Sequence, residues 1–157
     1  MNQNIATELI QFIKESPSAF HAVATMKKEF LTHGFTQLQE NERWHLNAGA
    51  NYFVTRNDSS IIAFSIPKNG FDGMRIMASH SDSPSFKIKE NPEMEVEKQY
   101  IKLNVERYGG MIFAPWFDRP LSVAGRVIIK NPATGKLESR LVNVDRDLVM
   151  IPNLAIH

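Results

Sequence analysis

The hydrophobic pattern of this 157-residue chain changes from a helical period to a period of two residues after Gly34. Apolar residues recur every three or four positions between Ile5 and Leu31, which predicts two amphipathic helices. Ser16 and Pro17 divide the helices, with Ser16 as the N-cap and Pro17 at the first position of the second helix. We expect Gly34 to end that helix in a left-handed conformation. No later segment has a helical period, so the chain is predicted to fold as an α+β protein.

Alternation of apolar and polar residues predicts β-strands along the rest of the chain. The turn residues Asn57, Asp58 and Ser59 separate the first two strands, which predicts a hairpin. The third strand is predicted to end directly at His80, and the charged residues 87–98 are predicted to form a solvated strand edge. The predicted strands cover residues 52–56, 60–66, 75–79, 100–105, 121–130 and 137–144. Because all segments after residue 88 are β-like, we predict a boundary there, with domains over residues 1–88 and 89–157.

Composition limits the classes of function that this chain can have. Eighteen basic and seventeen acidic residues give a net charge of +1, which argues against binding to nucleic acid or to an anionic membrane. The chain has no cysteine, so any metal site must use His, Asp and Glu. Its first residues do not form a signal peptide, and no apolar run approaches the ~18 residues that cross a bilayer. We therefore expect a soluble cytoplasmic protein.

His80 and Asp82 follow a predicted strand, where side chains escape the packed sheet and active sites often lie. A neutral imidazole binds divalent metals, and a carboxylate two residues away can orient the ring through its other nitrogen. Zinc normally takes at least three protein ligands, so one histidine is not a site. The residues alone therefore leave open a second interpretation, in which His80 is solvated and Asp82 begins a turn.

The other histidines are weaker candidates. His21 is predicted to be partly buried or to take part in capping the second helix. His33 suits the end of that helix, where a cation meets the dipole favourably. His45 has no ligand partner nearby in the sequence, and His157 is the last residue. Judged from the residues alone, none of these histidines is predicted to be a metal ligand, and His157 is expected to belong to a frayed terminus.

Residues 108–120 combine four aromatic residues and two prolines with the pair Asp118-Arg119. A loop this apolar needs to be covered by its own domain or by a partner subunit, although an ordinary packed loop is the plainer interpretation. Gly109 and Gly110 lack the spacing of dinucleotide-binding or Walker motifs, which argues against phosphate binding.

Several of these motifs, in this order, resemble the aspartyl aminopeptidase family of dinuclear zinc metallopeptidases. The matching segments are residues 16–23, 52–57, 61–64, 80–84, 108–110, 116–119, 121–127 and 151–157. Ser81 stands where threonine is usual, Met111 where a third glycine is common, and Pro120 where an acidic residue is common. These departures leave the His-x-Asp motif intact.

The resemblance implies the N-terminal part of an α/β zinc-peptidase catalytic domain, followed by the start of an inserted β-rich dimerisation domain. It implies that His80 is a zinc ligand and that Asp82 orients its imidazole. It also implies that His157 enters the active site of a neighbouring subunit and contacts the substrate. The implied protein is a homo-oligomeric aminopeptidase that acts on peptides and holds two Zn²⁺ ions in each complete site.

The family's remaining ligands, its bridging Asp and its general-base Glu lie downstream of residue 157. We therefore expect this chain to be a truncated part of such an enzyme and to be inactive alone. Preference for an acidic or another N-terminal residue stays open, because the residues that would recognise it are not in this segment. The alternative hypothesis is a non-catalytic oligomerisation or binding fragment that uses residues 108–119 as its interface. The nucleotide sequence beyond the His157 codon would distinguish the two hypotheses.

Overall fold

The structure, a computed structural model, describes residues 2–155. Over this range it contains two α-helices, seven β-strands and one 3-10 helix. The elements are α1 (Asn2–Glu15), α2 (Ala19–Thr32), β1 (Thr36–Leu38), β2 (Asn51–Arg56), β3 (Ser60–Ser65), β4 (Ser85–Val96), β5 (Tyr100–Tyr108), the 3-10 helix Ala114–Trp116, β6 (Ala124–Lys130) and β7 (Leu137–Asn143). Both α-helices precede all of the strands, which confirms the predicted α+β class.

The start of α2 differs from the prediction. Ser18, in an extended conformation, is the N-cap, and its Oγ accepts a hydrogen bond from the backbone N–H of His21. The same hydroxyl lies 2.8 Å from Nδ1 of His21, so the serine has a second partner in the first turn. The predicted cap at Ser16 is therefore wrong, because the residue with both partners lies two positions later. Gly34 has a φ of 78° and follows the helix as predicted.

A three-stranded sheet in the order β1-β2-β3 forms the centre of the first compact unit. β1 and β2 are parallel, and β2 and β3 form the predicted antiparallel hairpin. Asn57 and Asp58 make the turn with φ values of 53° and 51°. Asn and Asp tolerate this left-handed conformation better than other non-glycine residues, which explains why this dipeptide is a hairpin signal.

The core of this unit is small. Five of the described residues are buried, and they come from two elements, α2 and β2. They are Ala22, Val23, Tyr52, Phe53 and Val54. Phe53 has no exposed surface, and its ring lies 5.7 Å from the ring of Phe30 on α2. Phe53 therefore joins the central strand to α2, and its ring is fully removed from water.

The antiparallel hairpin of β6 and β7 belongs to the same compact unit, although it follows β3 by about sixty residues. Arg126 on β6 lies over the ring of Phe20, 4.1 Å from its centroid. Its guanidinium also donates to the carbonyl oxygen of Asn57 at 2.8 Å and to the side chain of Asn57 at 3.1 Å. One arginine thus joins the hairpin both to α2 and to the β2–β3 turn.

The second compact unit contains residues Ser83–Ser122 and the segment from Arg146 onward. Its main element is the long antiparallel pair of β4 and β5, whose register shifts between Ile88 and Glu93. The charged residues 87–98 lie mainly on β4, as predicted for a solvated strand. Leu121 and Val149 form an antiparallel bridge that ties the returning segment to this unit.

These two units do not coincide with the predicted domains. Residues 123–145 fall in the first unit, whereas the prediction places them with residues 89–157. Compactness within this chain and domain membership in a longer protein are different properties, so the domain assignment stays a prediction.

The predicted strand over residues 75–79 is wrong. The described residues there have no strand conformation, and Ile76 and Met77 are 84% and 98% exposed. A strand needs a neighbour that pairs with its backbone N–H and C=O groups, and none of the described strands pairs with this segment. Residues 75–79 therefore have the short apolar run typical of a buried strand but no neighbouring strand among the described residues to pair with.

Membrane-spanning character is not found in the helices of residues 2–155. Each has 14 residues, and neither is long and apolar enough to cross a bilayer.

The partial burial of His21 predicts a pH dependence of folding. Burial lowers the pKa of His21 below its ordinary value of 6.5. Below pH 6.5 the unfolded chain therefore binds the proton more readily, and the free energy of unfolding falls as the pH is lowered. Above that pH His21 contributes no pH dependence. Urea unfolding of the chain at a series of pH values measures this effect.

His21→Gln should reduce the slope of stability against pH below 6.5. The matched control is His33→Gln at the other end of α2, where the His33 side chain is 71% exposed. This variant should keep the part of the slope of stability against pH that comes from His21. An unchanged slope in His21→Gln would contradict this prediction.

Candidate metal centre

His80 and Asp82 lie within hydrogen-bond distance of each other. Nδ1 of His80 is 2.9 Å from Oδ1 of Asp82. The His80 side chain is 90% exposed, and the Asp82 side chain is 33% exposed. The pair therefore consists of an accessible imidazole in contact with a more sheltered carboxylate.

Ser81, between them, connects this segment to the sheet. Its hydroxyl donates a hydrogen bond to the carbonyl oxygen of Ser59 at 3.0 Å. Ser59 lies in the turn before β3, so the hairpin fixes one point of an otherwise irregular segment. In the sequence, Ser81 stands out only as a departure from the threonine that is usual at this position. Both residues carry a hydroxyl, and that shared group is the signal that could have revealed this contact.

The contact between His80 and Asp82 has a chemical consequence for the imidazole. A carboxylate next to Nδ1 favours the tautomer that carries its proton on Nδ1. In this tautomer Nε2 has the free lone pair, which is the form that binds a metal ion. The contact of Nδ1 with Asp82 therefore leaves Nε2 as the ring nitrogen that a metal ion could approach.

A complete zinc site is not formed by the residues that the structure describes. Among residues 2–155 no group of three or more His, Asp and Glu side chains could hold a metal ion. His80 offers one imidazole, whereas a zinc site takes at least three protein ligands. The described residues therefore supply one candidate zinc ligand, His80, together with the carboxylate beside it, and they do not complete a zinc site. His157, the predicted substrate contact, lies outside the described residues.

The remaining described histidines have the positions expected from the sequence. His21 contacts the N-cap serine of α2, and His33 is the C-cap residue of the same helix. Nδ1 of His33 lies 2.9 Å from the carbonyl oxygen of Glu29. His45 is exposed and lies outside the helices and strands.

The aromatic loop of residues 108–120 is partly covered by its own unit. The ring of Phe86 on β4 meets Trp116 edge to face at 5.5 Å and lies 6.0 Å from Phe113. Ile112 remains 78% exposed, so the loop keeps an apolar surface. The contacts with Phe86 therefore account for two of the aromatic residues of this loop, Phe113 and Trp116.

Comparison with known proteins identifies the family. Residues 12–157 match the family described as aminopeptidase I zinc metalloprotease (M18). A probable M18 family aminopeptidase 2 of Clostridium novyi (strain NT) is 50% identical over 154 residues, which are 97% of this chain and 36% of the relative. This chain therefore belongs to the M18 aminopeptidase family and spans about 36% of the length of such relatives.

Solved structures agree with this assignment. Chaetomium thermophilum mApe1 is 35% identical and superposes with a TM-score of 0.93, over 99% of this chain and 36% of that protein. The S. cerevisiae mApe1 dodecamer is 29% identical with a TM-score of 0.89, over 98% of this chain and 36% of that protein. The resemblance to zinc metallo-aminopeptidases is thus confirmed, and the fold is that of part of these structures.

The contact between Asp82 and His80 predicts that the carboxylate affects metal binding without being a ligand. Asp82→Ala in the full-length protein should lower zinc affinity by about 10- to 100-fold, because the imidazole loses the group that fixes its tautomer. Competition with a chromophoric zinc chelator measures the affinity.

Asp72→Ala, which removes an exposed carboxylate ten residues earlier, is the matched control and should leave zinc affinity unchanged. Equal affinities of the wild type and Asp82→Ala would show that Asp82 does not prepare His80 for a metal.

Proposed function

We propose that this chain is part of a zinc-dependent aminopeptidase that removes N-terminal residues from peptides. The observation that carries the proposal is the 2.9 Å contact between His80 and Asp82, which leaves Nε2 for a metal ion. His80 is the proposed zinc ligand, and Asp82 holds the proton on Nδ1. Zinc, when bound, would supply Lewis-acid activation of the water that attacks the peptide bond. Family membership supports the same reaction class.

The remaining ligands of a two-zinc site and its general base are proposed to lie in the part of the protein that this chain does not span. The relatives are longer than this chain, which covers 36% of their length. We also propose that residues 1–88 belong to the catalytic domain and that residues 89–157 begin an inserted dimerisation domain. The proposed location is the cytoplasm, and the preference for acidic N-terminal residues stays open.

The proposed enzyme is a homo-oligomer whose active site uses His157 from a neighbouring subunit. A related protein, S. cerevisiae mApe1, forms a dodecamer, which supports an assembly of identical subunits. His157 would donate a hydrogen bond to the peptide carbonyl oxygen as negative charge develops on it. Loss of one such donor typically lowers the rate by about 100- to 1000-fold.

The second candidate function is a non-catalytic oligomerisation or binding fragment. The exposed apolar surface of the aromatic loop, with Ile112 78% exposed, favours it. Determination of the coding sequence after residue 157 separates this function from that of a complete enzyme.

The 157-residue chain alone should have no aminopeptidase activity, because it offers a single described zinc ligand. Purified chain is assayed with aminoacyl-p-nitroanilides in the presence of zinc or manganese, with the full-length protein as the positive control. Turnover by the chain that His80→Ala abolishes would contradict the prediction and place a working site within these residues.

Mixed oligomers test the role of His157. Full-length His80→Ala and full-length His157→Ala should each be impaired, and their co-expression should restore part of the activity. Restoration is expected because some sites then receive an intact His80 from one subunit and an intact His157 from its neighbour.

Each variant expressed with a second tagged copy of itself is the control and should stay impaired. Hybrid oligomers that form but remain inactive would contradict the arrangement between subunits.

A further inference from the structure

Asp118 in the aromatic loop is bonded on two sides to the segment that leads to His157. The backbone N–H of Asn153 donates to Oδ1 of Asp118 at 2.8 Å. The backbone N–H of Asp118 donates to the carbonyl oxygen of Ile151 at 3.0 Å. Phe117 and Ile151 form a parallel bridge beside these contacts. The side chain and the backbone of Asp118 thus bond to Asn153 and Ile151, which are two positions apart in the same segment.

The backbone of Asp118 favours this residue type. Its φ of 53° lies in the left-handed region, where Asp and Asn are tolerated better than other side chains and glycine is free of strain. Glycine would satisfy the backbone but would have no acceptor for the N–H of Asn153. A carboxylate satisfies both requirements, and its charge strengthens the bond to the N–H group.

A second contact lies on the other side of the loop. The backbone N–H of Leu121 donates to the carbonyl oxygen of Val149 at 2.8 Å, and Leu148 donates back to Leu121 at 3.0 Å. The returning segment is therefore held at Leu121 and again at Asp118. His157 lies four positions after Asn153, so their Cα atoms are at most ~14 Å apart even in a fully extended chain. Chain length therefore ties the reach of His157 to the position of Asn153.

We propose that Asp118 is a positioning residue that acts through His157. By fixing Asn153, it sets the direction in which the last residues leave the aromatic loop and reduces the volume that His157 explores. The role rests on the proposed function, in which His157 contacts the substrate of a neighbouring subunit. Asp118 itself touches no substrate in this arrangement, so its effect on the reaction is indirect.

Two substitutions in the full-length protein distinguish the effect of the Asp118 carboxylate from the effect of its backbone conformation. Asp118→Gly keeps a left-handed backbone without strain but removes the acceptor, whereas Asp118→Asn keeps both a tolerated backbone and a side-chain oxygen. Asp118→Gly should accelerate hydrogen exchange of the Asn153 amide and lower kcat by up to about 100-fold. Asp118→Asn should keep the exchange rate of the Asn153 amide and the kcat close to their wild-type values. Asp145→Gly, at a position with a φ of 48° in the other compact unit, is the control and should change neither.

Combination with His157→Ala tests whether Asp118 acts through the histidine. In the His157→Ala background, Asp118→Gly should produce no further loss of kcat but should still accelerate exchange at Asn153. An equal loss of kcat in both backgrounds would overturn the proposal, as would unchanged exchange at Asn153 in Asp118→Gly.

If His157→Ala is impaired but Asp118→Gly leaves kcat unchanged, the proposal that Asp118 positions His157 would also be overturned. Full activity of His157→Ala would instead overturn the proposed contact with substrate, and the exchange rates would still show whether Asp118 holds the segment.

Discussion

The burial of β2 on both of its faces is the constraint on which the first unit depends. Tyr52, Phe53 and Val54 are three consecutive buried residues in a strand flanked by β1 and β3. Successive side chains of a strand point to opposite faces of the sheet, so both faces are covered, and α2 covers the face of Phe53. This burial fixes β2, and the hydrogen bonds of the hairpin then fix β3 and its turn. The turn supplies the carbonyl oxygen of Ser59 that receives the hydroxyl of Ser81. Ser81, between His80 and Asp82, is therefore anchored to a hairpin whose first strand lies in the hydrophobic core.

The features that could be predicted from the sequence are those with local causes. The helices follow from the spacing of apolar residues, and the β2–β3 hairpin follows from Asn57 and Asp58, whose side chains tolerate positive φ. The contact between His80 and Asp82 likewise joins residues two positions apart. In each case the information that determines the structure lies within a few residues of the feature.

The features that were missed have causes far away in the sequence. Arg126 reaches Asn57 across 69 residues, and nothing near Arg126 in the sequence indicates that partner. Residues 75–79 have the apolar run of a buried strand, but pairing with a neighbour decides whether a strand forms. The contact of Asp118 with Asn153 spans 35 residues and was missed for the same reason. His157 was singled out through the family motif, since a terminal histidine carries no physical signal of its own.

The two proposed halves of the site are held by the same kind of contact in different units. A side-chain oxygen of Ser81 bonds to the main chain of the β2–β3 turn, and a side-chain oxygen of Asp118 bonds to the main chain of Asn153. Each contact holds an irregular segment at one point. Both partners of each contact lie within one compact unit, so each segment is held by residues of its own unit. The proposed site depends on both segments, and in each of them a side-chain oxygen bonded to a main-chain group holds one point.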